Sequence, residues 1–165
     1  MARAEMERTV QQSVLDRLID EDPSAAADPP TAFGLSVRRF KASVRRDLEA
    51  LLNTRRIPDP APEALGEVAT SLHHYGLPDI TSLSSDSAES RAILVQRIEE
   101  TVRLFEPRLS NVRVSVSESA GVAGRELRFL IEGLLRMDPS PEQVVFDTVL
   151  ELASGEYQVE GDARA

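Results

Sequence analysis

Phe105-Glu106-Pro107-Arg108-Leu109 is the segment whose residue types are best suited to a defined chemical task. Pro107 locks its own backbone angle, so the carboxylate before it and the guanidinium after it leave a stiff corner in set directions. A carboxyl beside an apolar ring such as Phe105 can keep its proton and serve as a general acid. On a glycoside, Glu106 would need a second carboxylate at about 5 Å or about 6.5–9.5 Å. Glu99, Asp79 and Asp147 are available, but no spacing selects among them. The same two side chains have a non-catalytic use as polar hooks. Glu106 and Arg108 can form bidentate or backbone hydrogen bonds, either across a protein interface or inward to fasten the turn. Residue spacing supports these two uses equally.

Other chemistry is sparsely supplied. His73 and His74 are the only histidines, and neighbouring side chains on a helix diverge too far to chelate one ion. There is no cysteine, hence no disulfide, thiol nucleophile or thiolate ligand. No glycine-rich phosphate loop, serine elbow or metal-binding helix signature occurs. Two tyrosines and no tryptophan offer few platforms for stacking on sugars. The expectation is no enzyme, no metal and no cofactor.

The 165 residues, 41% of them hydrophobic, suffice for one cored domain burying roughly 70% of its extended-chain surface. A net charge of -9 opposes binding to nucleic acid or acidic lipid. No stretch reaches the roughly 20 apolar residues of a membrane span, and the mixed Arg and Glu of residues 1–17 do not form a signal peptide. The expected setting is the cytoplasm. Charge is polarised: Arg38–Arg56 holds seven basic and two acidic residues, Glu126–Ala165 nine acidic and three basic. Such polarity can orient a subunit among partners.

Helical periodicity places a helix over Glu5–Ile19, followed by a proline- and alanine-rich tether from Asp20 to Pro30. Val37, Phe40, Val44, Leu48, Leu51 and Leu52 define a second helix, capped by Ser36 and ending near Asn53. Its outer side carries Arg38, Arg39, Lys41, Arg45 and Arg46, with Asp47 and Glu49 as local partners. Leu65, Val68, Leu72 and Tyr75 give a shorter helical stripe that Gly76 ends. Asp86 and Glu89 resemble a capping box for a helix buried through Leu94, Ile98, Val102 and Phe105, which Pro107 stops. The period then drops to two over Asn111–Ser117, around Leu127–Leu135 and around Val144–Leu152, with a turn at Ser154-Gly155 and a short return at Tyr157 and Val159. N-terminal helices followed by a small antiparallel β-sheet make an α+β domain. At least one sheet edge is left to accept a strand, unless other structure covers it. Glu142, Asp147, Glu151 and Glu156 are candidate gatekeepers against such pairing. The organisation reads as residues 1–30 helix and tether, 31–160 the domain, and 161–165 an acidic tail.

Five segments in one order carry a resemblance: Ser13-Val-Leu-Asp-Arg-Leu18, Val44 through Arg56, Tyr75-Gly-Leu-Pro-Asp79, Phe105 through Leu109, and Phe146-Asp147-Thr148. The chain resembles the TssE family, the small baseplate subunit of type VI secretion systems, similar to the baseplate wedge protein of contractile phage tails. The resemblance implies a cytoplasmic structural protein within a membrane-docked baseplate. It implies that Glu106, Pro107 and Arg108 help attach the subunit to the TssF–TssG wedge core. It also implies that the sheet, with Phe146, Asp147 and Thr148, starts the contractile TssB–TssC sheath. Arg55 and Arg56 match a shared segment that either supports the fold or touches the wedge, and TssK is a further neighbour in the assembled baseplate. Two alternatives stand beside this: a lysozyme-like peptidoglycan hydrolase using Glu106, and a general protein-binding adaptor using the basic helix.

Overall fold

The computed structural model describes residues 18, 33–58, 66–79, 87–117, 126–138 and 140–162. The helix expected over Glu5–Ile19 and the tether after it lie outside these residues, except for Leu18, which is helical and exposed. Helix α1 spans Phe33–Asn53 and α2 spans Ala88–Phe105, with two short 3-10 turns, Gly66–Thr70 and Leu72–His74, between them. Strands β1 (Leu109–Val116), β2 (Glu126–Leu135), β3 (Glu142–Glu151) and β4 (Tyr157–Asp162) follow. They form one antiparallel sheet in sequence order. The chain is thus α+β, helices first and sheet afterwards.

Each helix buries the stripe its sequence advertises. Phe40, Val44, Leu48, Leu51 and Leu52 of α1 are buried, as are Leu94, Ile98 and Val102 of α2. Arg38, Arg39, Arg45 and Arg46 face outward. Helix α1 packs against β4 and α2 against β1, so the pair covers one face of the sheet. Helix α1 starts at Phe33 rather than after Ser36, because no proline follows Pro30 before Pro58 and nothing stops the earlier turn from forming. The cap of α2 is Ser87, one residue after the expected Asp86; its hydroxyl accepts from the Ser90 N–H at 3.4 Å.

The stripe expected over Leu65–Tyr75 is not one helix. Ser71 interrupts it: its hydroxyl donates to the Val68 carbonyl (2.8 Å) and accepts from the His73 N–H (3.2 Å). Such local bonds compete with the helical ladder, and Leu72 consequently stands 82% exposed instead of buried. Gly76 does more than end this segment. With φ at +98° its backbone passes so close to Thr54 that a Cβ would lie 2.2 Å from the Thr54 carbonyl oxygen. That approach permits a two-bond parallel bridge, Leu77 N–H to Thr54 O (2.9 Å) and Arg56 N–H to Leu77 O (2.8 Å).

Register sets the core. Val114, Ile131 and Phe146 are cross-strand neighbours, as are Phe129, Thr148 and Val159, and all six are buried on the helix-covered face. Strand β1 begins at Leu109, two residues before the expected start, and absorbs a bulge between Ser110 and Arg113 with Asn111 at φ +52°. Strand β4 runs on through Gly161 and Asp162, residues that sequence reasoning assigns to the tail.

Candidate functional site

Helix α2 ends where the Glu106 N–H bonds the Val102 carbonyl (2.9 Å), and the Leu109 N–H closes a turn onto the Glu106 carbonyl (3.1 Å). Pro107 occupies the second position of that turn, where its fixed angle fits. The turn aims both neighbouring side chains inward. Glu106 is 3% exposed, and its Oε1 accepts from the Arg108 Nε at 2.7 Å and from the Arg108 backbone N–H at 3.2 Å. Its Oε2 accepts from the Arg108 Nη2. The same guanidinium reaches across to α1, donating to Asp47 Oδ2 (2.6 Å) and Ser43 Oγ (3.3 Å), and its carbon lies 6.0 Å from the Phe40 ring centre. Asp47 also accepts from Arg46, at 2.9 and 3.1 Å. Two carboxylates and two guanidiniums therefore alternate, tying α1 to the α2–β1 junction.

The electrostatics follow from this packing. Burial alone would pull the Arg108 guanidinium down, but its hydrogen bonds and charge pairing with Glu106 and Asp47 more than offset that and hold it well above its ordinary range. Tyr75, whose ring meets Phe105 edge-on at 5.3 Å, is raised by burial and then by the Asp47 and Glu106 charges. Four of the quoted segments thus bear on one fabric. The Val44–Arg56 segment supplies Asp47 and the Thr54–Arg56 bridge, Tyr75–Asp79 supplies the ring and the glycine, and Phe105–Leu109 supplies the corner. Phe146 belongs to the shared core beneath.

The sequence-nominated residues divide by exposure. Pro107 and Arg55 are exposed, and Arg56 is half-buried and joined through its backbone to Leu77. Phe146 and Thr148 are each 1% exposed and face the helices. Asp147 lies on the opposite face, with Arg128 at 3.6 Å. Glu142, Asp147 and Glu151 sit on β3, an interior strand, so they do not guard an edge.

The edges are held by other residues. On β4, Asn53 accepts from the Tyr157 N–H (2.8 Å) and donates to the Tyr157 carbonyl (2.7 Å), while Glu49 accepts from the Val159 N–H (3.1 Å). On β1, Glu99 accepts from the Val114 N–H (2.9 Å) and Arg103 donates to the Val112 carbonyl (3.0 Å). Sequence reasoning treats Asp47 and Glu49 as local partners of the basic face. One available signal is that both are acidic residues one turn from an apolar position in an otherwise basic stretch.

This arrangement does not suit catalysis. A general acid must meet its substrate, whereas both oxygens of Glu106 are engaged by Arg108 beneath the surface. His74 turns its Nδ1 to the Val68 carbonyl at 3.0 Å. Among the described residues there is no group of three or more His, Cys, Asp or Glu able to hold a metal, and no helix long and apolar enough to cross a membrane. Polar groups here join elements to one another. The family model for "Baseplate wedge protein gp25" matches residues 38–140, and the chain belongs to that family. The matched span runs from α1 through the corner and beyond β2. Comparison with curated proteins and with solved structures gave no match.

Proposed function

We propose that this chain is a TssE-type subunit of a type VI secretion baseplate, docking on the TssF–TssG wedge core and giving the TssB–TssC sheath its starting platform. It works in the cytoplasm, within a membrane-docked baseplate that also holds TssK. The observation carrying this reading is the wedge-family match, which contains the whole corner. Glu106 and Arg108 set the corner's shape from within. The groups left to meet a partner are Pro107, the neighbouring Leu104 (43% exposed) and the exposed Arg55. Arg56 fastens the segment behind them. On the sheet, Phe146 and Thr148 hold β3 in register from the core side, and Asp147 marks the face away from the helices.

The test is co-purification with TssF and TssG. Leu104→Glu combined with Pro107→Ala changes only exposed positions, so the monomer is expected to stay folded while wedge co-purification falls at least about tenfold. A folded variant that still brings down both partners at wild-type yield refutes the docking role.

A further inference from the structure

Asp47 and Glu49, the expected local partners of the basic side of α1, are spent elsewhere. Asp47 accepts from Arg108 at 2.6 Å and from the adjacent Arg46, and Glu49 accepts from the Val159 N–H at 3.1 Å. Among the described residues, Arg38 and Arg45 make no hydrogen bond or ion pair, and both are exposed. Their places in the chain put them two helical turns apart, about 10 Å along the axis. Arg39 and Arg46 repeat that spacing in a second row; Arg46 is bonded to Asp47, and Arg39 is engaged as well. The exposed Ala42 lies between the two rows.

We propose that this face of α1 seats an acidic helix of a partner protein, whose carboxylates, one heptad apart, pair with Arg38 and Arg45. Charge sets the sign of the occupant. In a chain of net charge -9 these two guanidiniums lack carboxylates because the nearby acids tie α1 to the corner and to β4. Spacing sets its shape. Carboxylates one heptad apart on a helix match the separation of the two arginines, and Ala42 admits a second backbone at the about 8–10 Å of packed helices. Charged rows flanking such a seam are how coiled coils choose their partners. Nucleic acid fits less well, since the net charge of the chain repels a polyanion. An acidic membrane finds little to bury, because Ala42 and Ala50 are the only apolar residues among the described exposed positions of α1. The surface is separate from the corner, which meets the Asp47 side of the helix, and it stands whether or not the wedge reading does.

The experiment uses the full chain and, as probe, a labelled alanine-based helical peptide with glutamates at heptad spacing, measured by fluorescence anisotropy. Controls are an isomer carrying the same glutamates out of register, a short oligothymidylate and phosphatidylglycerol vesicles. Wild type is expected to bind the in-register peptide and to discriminate against its isomer, a comparison that needs no variant. Arg38→Ala with Arg45→Ala removes two exposed pairs and is expected to weaken binding about tenfold. Ala42→Phe keeps every charge but holds the helices apart, and is expected to weaken binding by at least about tenfold as well. All three positions are exposed, so circular dichroism is expected to show wild-type folding. No binding of the in-register peptide, or equal binding of its isomer, overturns the proposal. So does undiminished binding by Ala42→Phe, which leaves only diffuse attraction. Tighter binding of the oligothymidylate or of the vesicles than of the peptide overturns it in favour of a nucleic acid or a membrane.

Discussion

Replacing Arg108 by Ala tests whether the corner is structural. In the native protein Arg108 satisfies both oxygens of Glu106, itself 3% exposed, and one oxygen of Asp47. Without the guanidinium, Asp47 keeps Arg46, but Glu106 retains only the backbone N–H of residue 108 at 3.2 Å. Removing one partner of a buried ion pair costs about 3–5 kcal/mol because the other charge is stranded. Here the side chains of Arg108 and Asp47 are 20% and 31% exposed, so water moderates the loss to about 2–3 kcal/mol. For a chain of this length each kcal/mol shifts the melting temperature by about 2–4 °C, giving a fall of about 4–12 °C.

The double variant Glu106→Ala, Arg108→Ala sharpens the test. With no orphaned carboxylate it is expected to recover part of the loss, with a coupling of about 0.5–3 kcal/mol. Urea unfolding of the four proteins in the cycle gives both quantities. If Arg108→Ala unfolds within about 0.5 kcal/mol of wild type, or if the two single losses simply add, the charge alternation is not what holds α1 to the corner.

Gly76→Ala is expected to cost more than about 2 kcal/mol, since its Cβ would strike the Thr54 carbonyl and part the Arg55–Leu77 bridge, whereas Gly155→Ala, at φ +75° in open space, costs about 1 kcal/mol; denaturant midpoints compare the two. Asn53→Ala removes both side-chain bonds to Tyr157 and is expected to cost about 1–2 kcal/mol, with faster amide exchange at Tyr157 than at Val114. Tyr157 is raised by burial and Tyr75 by burial and nearby carboxylates. Both therefore resist ionisation when folded but release protons near ~10 when unfolded. Their contribution is complete below that pH and is lost as pH climbs above it. The two tyrosines' absorbance should thus report ionisation together with unfolding in alkali. Tyr157→Phe should flatten that alkaline loss, and because the Tyr157 hydroxyl has no hydrogen-bond partner among the described residues it should add about 1 kcal/mol of stability at neutral pH.

The architecture was legible where one physical pattern dominated. Three-to-four spacing in α1 and α2 and alternation in the strands mark the helix-covered face, whereas the burial of Val145 and Val149 on the other face of β3 leaves no periodic signal. The 65–75 region was misread because Ser71 offers backbone bonds that hydrophobic spacing does not register. The corner was found, but its direction was not. Whether Arg108 points inward depends on Asp47, 61 residues earlier, and on the angle between α1 and α2, neither of which local sequence encodes. Thr148 and Asp147 show the complementary limit: adjacent in sequence, they lie on opposite faces of β3, so a motif of three consecutive strand residues cannot act as one surface.

The corner and the sheet edges obey the same logic. In each place a helix side chain ties the sheet to α1 or α2: Ser43 and Asp47 accept from the Arg108 side chain at the entry to β1, while Glu99 and Arg103 along β1, and Asn53 and Glu49 along β4, bond backbone groups that face away from the neighbouring strand. The helices thereby fix the sheet's outline without adding a strand to it. The β4 bonds span more than 100 residues, so α1 and the last strand hold each other in place across the whole chain. The buried Glu106–Arg108 pair is the least releasable of these ties, since freeing Arg108 would strand Glu106 away from water. Stiffness at the corner thus follows from its ion pair's small access to water, with side chains 20% and 4% exposed.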